Sequence, residues 1–71
     1  MPLAMANPGE SMEIVRIGGN SEVRRHLEEM GFAAGSTLVV ISVHGGNVIC
    51  SVKETRVGIS RELASKIIVK N

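Results

Sequence analysis

The chain has 71 residues, with eight Lys and Arg against seven Glu, no Asp and a formal charge of +1, so it has no broad field to attract nucleic acid or acidic lipid. A chain this short removes only about 60% of its unfolded surface from water, which is enough for one core and one domain over residues 1–71. Hydrophobic residues make up 44% and Phe32 is the one aromatic, so the core is built from Val, Ile, Leu and Met, whose β-branched members favour strands, and no aromatic platform exists for stacking bases.

In chain order, Leu3 to Ala6 can form one helical turn, and Asn7-Pro8-Gly9-Glu10 punctuates it. Met12 to Ile17 reads as a strand ending at Gly18-Gly19-Asn20-Ser21. A helix follows, capped by Asn20 or Ser21; Val23, Leu27 and Met30 share one face, and Gly31 ends it in the left-handed conformation. Thr37 to Val43 is a strand with apolar residues on both faces, which predicts that both are covered. His44-Gly45-Gly46-Asn47 makes a tight hairpin, and the return strand points Val48, Cys50 and Val52 into the core. Arg56 to Ile59 is a further strand offering Val57 and Ile59 to the core, Ser60 to Ser65 a short helical turn, and Lys66 to Lys70 the last strand. Five short strands avoid open edges best by curling into a small SH3-like barrel with a helix inserted after the first strand, Gly58 serving as a corner or close approach.

The longest later apolar run, Leu38 to Ile41, is far below the roughly 20 residues of a membrane span, and Met1 to Pro8 lacks the basic region of a signal peptide. The single cysteine, Cys50, cannot form an internal disulfide and suits a reducing compartment, so the expected location is cytoplasmic. Cys50 lies in the inward strand set and reads as a small core hydrophobe. His26 has Glu22 one helical turn earlier and is conceivable as a metal ligand, but it borders the apolar stripe and reads as a partly buried packing histidine. His44 reads as a solvated loop residue. No CxxC or HxxxH pair accompanies them, so no metal or cofactor is expected. Gly18-Gly19-Asn20-Ser21 lacks the lysine and serine of a phosphate loop and reads as a capped strand-to-helix turn. An enzyme is disfavoured, because a nucleophile, base and orienting group would have to come from Ser, His and Glu at no recognisable spacing.

What remains is surface. The helix places Arg24 and Arg25 early and Glu28 and Glu29 late, the unfavourable order for both the helix dipole and i,i+4 pairs. Arg24, Arg25 and Glu28, with the hairpin residues His44, Gly45, Gly46 and Asn47, are the candidate partner-binding residues. Ile49 and Ile68 should point outward and together form an apolar patch.

The stretch Leu27-Glu28-Glu29-Met30-Gly31-Phe32, then Gly35-Ser36, and finally Arg61, Ala64, Ile67 and Val69, with Pro8-Gly9 near the start, resembles the FeoA family. The chain departs from the family's pattern in having Ala34 before Gly35, where Pro is frequent, and in its short hairpin at His44 to Asn47. The resemblance implies an SH3-like barrel acting by protein–protein interaction as an accessory of bacterial ferrous iron transport, with the cytosolic part of the FeoB transporter as partner, and it implies no catalytic residues or metal ligands. The same barrel forms the C-terminal domain of iron-dependent repressors, so the alternative is a stand-alone regulatory module. Iron carriage by His26, His44 and Cys50 is the weakest alternative.

Overall fold

Apolar alternation along the chain becomes five antiparallel strands in the computed structural model, which describes residues 1–71. After a 3₁₀ turn over Leu3–Met5 come β1 (Ser11–Ile17), α1 (Ser21–Glu29), β2 (Thr37–His44), β3 (Asn47–Val52), β4 (Thr55–Ile59), the single-turn α2 (Arg61–Ala64) and β5 (Ile67–Lys70). They form one sheet in the order β4-β3-β2-β1-β5. It curls as an SH3-like barrel with the helix inserted after the first strand. Two register shifts help it curl, between Ile14 and Arg16 on β1 and between Val40 and Ser42 on β2. Each inserts one extra residue, Val15 or Ile41, which bends the strand and increases its twist.

The core holds fifteen buried residues and no polar one. Every strand contributes, and so do Leu3 and Ala6 from the N-terminal segment, Leu27 from α1 and Phe32 just beyond it. α1 starts where the Asn20 side chain accepts a hydrogen bond from the Val23 N–H at 2.9 Å. It ends in a Schellman motif: with Gly31 at φ +106°, the Gly31 N–H donates to Glu28 O and the Phe32 N–H to Leu27 O, both at 3.0 Å. That closure carries Phe32 back over Leu27, and both side chains are fully buried.

Three expectations need correction. The outer face of β2 is not covered: Val39 remains 43% exposed, because all five strands share one sheet with its core on the inner side and outward residues meet no second layer. Ile49 points outward, as the alternation predicted, but Ile68 is half-buried. Their strands β3 and β5 are separated by β2 and β1, so they form no common patch. Gly58 is not a corner either. The β3–β4 register runs through it unbroken, and a Cβ there would make only ordinary contact with Ile49 Cγ1 at 3.8 Å.

Two hairpins use the same turn with opposite chemistry. Between His44 and Asn47, Gly45 and Gly46 take φ +59° and +87°, the type I′ geometry that suits the right-handed twist of paired strands. Between Val52 and Thr55, Lys53 and Glu54 adopt φ +52° and +63°, although side chains with a Cβ resist this region by about 1–2 kcal/mol. With no glycine to mark this turn, β4 starts at Thr55, one residue before the Arg56 expected from the sequence. Glu54→Gly relieves the strain at the cost of a more flexible unfolded chain, so the expected gain is about 0.5–1 kcal/mol. A higher urea midpoint at unchanged slope would register it.

Candidate partner-binding surface

The β2–β3 hairpin is held by a clamp to α2. Asn47, the residue after the two glycines, accepts a hydrogen bond on Oδ1 from the Arg61 N–H at 2.9 Å. The Arg61 side chain lies across Gly46 so closely that a Cβ on Gly46 would overlap its Cγ and Cδ atoms and press on its Cβ at 3.1 Å. α2 is braced in turn by Ser60 Oγ, which accepts from Leu63 N–H at 3.4 Å, and by Ser65 Oγ, which donates to Arg61 O at 2.7 Å. His44, Gly45 and Asn47 are therefore exposed yet fixed in place. Asn47 and Arg61 are 14 residues apart, and nothing in the sequence signals their contact.

On α1, Arg24, Arg25 and Glu28 are all exposed; Arg25 projects about 160° from Leu27 and Glu28 about 100°, while Arg24 lies only about 60° round at the edge of the packed face. The helix ends beside the far end of β3: a Cβ on Gly31 would touch Val52 Cγ1 at 3.4 Å and Lys53 at 3.8 Å. The clamped hairpin sits at the Asn47 end of the same strand. Six residues of strand span roughly 17–20 Å, so the C-terminal end of α1 lies away from the hairpin, whereas its start lies beside Lys66, where a Cβ on Gly19 would meet Lys66 Cδ and Val23 Cγ1 at 3.2 Å.

His26 departs from its expected packing position. It is exposed, because the helix commits only Leu27 fully to the core, with Val23 and Met30 packed partly against it, and His26 projects about 100° round from Leu27. His44 is exposed at the hairpin and Cys50 is buried inside β3. No three His, Cys or Glu side chains stand close enough together to hold a metal ion, and no cleft opens in the surface.

Burial raises the Cys50 thiol from 9.0 to about 11. The unfolded chain therefore loses this proton first, and the stability attached to the neutral thiol is fully present below pH 9.0 and lost as pH rises towards about 11. Two pH units correspond to at most about 3 kcal/mol. Urea midpoints of the wild type should fall more steeply across this window than those of Cys50→Ala, which lacks the titrating group.

Apolar residues also reach the surface: Val15, Val39 and Ile49 on the sheet, at 48%, 43% and 40% exposure, and Met1 and Met5 beside the 3₁₀ turn. No helix is long and apolar enough to cross a membrane.

A five-stranded SH3-like barrel with a wholly apolar interior and all its charge outside defines a small domain whose specific chemistry lies on its surface. The chain belongs to the FeoA domain family, with the match running over residues 1–71. It is 39% identical over 70 residues to "Putative Fe(2+) transport protein A" of Methanocaldococcus jannaschii, which takes in 99% of this chain and 85% of that protein. The crystal structure of an iron uptake regulatory protein (FeoA) superposes with a TM-score of 0.93 at 32% identity, covering 99% of this chain and 95% of that one. A manganese-dependent transcriptional repressor contains the same barrel, with a TM-score of 0.85 at 18% identity, covering 94% of this chain and 39% of the repressor. The last is a likeness of fold alone.

Proposed function

We propose that this chain is a non-enzymatic accessory protein of ferrous iron transport that acts by contact with the cytosolic part of a FeoB-type transporter. The reading is carried by family membership over the whole chain, together with 39% identity to a relative named for Fe(2+) transport. The geometry is in keeping with a surface-acting role: exposed charges on α1, and a hairpin held rigidly by Asn47 and Arg61. A rigid loop loses little conformational entropy when it docks.

The test is a nitrogen-15 NMR titration of this chain with the cytosolic domain of the FeoB from the same organism, with and without guanine nucleotide. Shifts are expected on Arg24, Arg25 and Glu28, on His44 to Asn47, or on both. Unchanged spectra at saturating domain under both conditions would sink the proposal. A second reading, a stand-alone module acting on a separate metal-dependent repressor, draws on the shared barrel. Shifts with such a repressor, and none with the transporter domain, would select it.

A further inference from the structure

The two edges of the sheet are treated differently. The outer edge of β5 is closed by the chain itself: Val69 N–H donates to Met1 O at 2.7 Å, the Met1 ammonium donates to Val69 O at 2.8 Å, and Pro2 bridges to Ile68. The outer edge of β4 has no such cover, since β4 is hydrogen-bonded only to β3. In a two-residue hairpin the flanking pair exchanges both hydrogen bonds and the pairs then alternate. Val52↔Thr55, Cys50↔Val57 and Val48↔Ile59 are therefore the bonded pairs, and Arg56 and Gly58 direct both N–H and C=O away from the sheet. None of these four groups finds a partner in a turn or loop of the chain.

Natural edges are blunted by proline, bulges, charge or shortness; β4 (Thr55–Ile59) is only five residues long and carries one charge, Arg56, but it has neither a proline nor a bulge. Its register is unbroken, unlike those of β1 with β5 and β2 with β3. Gly58 is exposed and presents no side chain, Ile49 stands beside it at 40% exposure, and Val57 is only half-buried at the margin of the core.

We propose that the outer edge of β4 pairs antiparallel with the same edge of a second copy of this chain, about a two-fold axis at Val57. The register is self-complementary. Arg56 falls opposite Gly58 of the other copy, so both free N–H and C=O groups of each residue are used, giving four hydrogen bonds by symmetry. Val57 faces its own copy in the closely spaced unbonded pair, which completes its burial. Opposite bare Gly58, the methylene stem of Arg56 from the other copy lies across the gap towards Ile49 while its guanidinium stays in water. A different extended strand would meet the same hydrogen-bonding groups, and the chain's own β4 adds a β-branched residue at the axis and a long stem opposite each glycine.

A five-residue edge buries well below the roughly 1,200 Å² of a stable interface, so the pairing is reversible, with half-association expected at roughly 0.1–1 mM. The test uses the wild-type chain alone, by sedimentation equilibrium and amide hydrogen exchange between about 20 μM and 2 mM. The expected result is a monomer–dimer equilibrium in which the Arg56 and Gly58 amides, unprotected when dilute, slow at least threefold when concentrated. Gly58→Pro removes one outward N–H without touching a bond to β3 and should abolish dimerisation while the thermal transition persists. A chain still monomeric at 2 mM, or a dimer in which these two amides remain unprotected, would overturn the proposal.

Discussion

Phe32→Ala is expected to lower the stability of the chain by about 3–5 kcal/mol. Phe32 is the only aromatic residue and is wholly buried among aliphatic side chains. Truncation removes its transfer energy and also leaves a cavity, because β-branched neighbours on strands have little freedom to close it. The site has a second constraint. Phe32 N–H completes the Schellman motif on Leu27 O at 3.0 Å, so α1 is tied to the barrel through the same residue that fills it. For 71 residues the whole stability is about 4–11 kcal/mol, so the loss takes between about a quarter and all of it. Phe32→Leu keeps most of the volume and should lose clearly less. Urea titrations followed by far-UV circular dichroism would measure both, and a loss under about 1.5 kcal/mol for the alanine variant would mean that the core repacks around it.

The second large effect is expected at Gly46. Gly46→Ala places a Cβ where φ is +87° and where Arg61 already lies. The backbone strain is about 1–2 kcal/mol. Displacing the Arg61 stem also loosens the Asn47–Arg61 bond of 2.9 Å, worth about 1 kcal/mol. Together they predict a loss of about 2–3 kcal/mol, or about 10–20 °C in Tm for a domain of this size. The two causes separate in a double-mutant cycle. In an Arg61→Ala background the overlap with Cγ and Cδ disappears but the strained φ does not, so Gly46→Ala should cost about 1 kcal/mol less there than in the wild type. Equal costs in both backgrounds would show that Arg61 swings aside freely and that the clamp rests on Asn47 alone. Because this hairpin is a candidate partner surface, the same variant should weaken partner binding even at temperatures where it remains folded.

Several elements were legible without coordinates because each follows from local rules. Runs of β-branched residues bounded by turn residues identified β1 and β2, and alternation identified β3 and turned Val48, Cys50 and Val52 inward. An i, i+4 spacing identified the face of α1, Asn20 its cap and Gly31 its stop. Paired glycines marked the first hairpin, and the Leu-x-x-Met-Gly-Phe stretch pointed to the family. The second hairpin was harder to place because Lys53 and Glu54 perform a turn that normally requires glycine, and only the pairing of β3 with β4 on either side holds them there.

The sequence by itself determined the number of strands and their succession along the chain, the place of the helix and most of the core, since side-chain periodicity and turn chemistry act over a few residues. Tertiary structure decided everything that depends on which distant segments meet. It left Val39 in water because no second layer crosses β2, set His26 outside because Leu27 alone anchors the helix fully, and brought Asn47 to Arg61. It also closed one sheet edge with Met1 and Pro2 while leaving Arg56 and Gly58 open on the other. These outcomes are fixed by the curl and order of one sheet, a property of the whole chain that no local window of residues encodes.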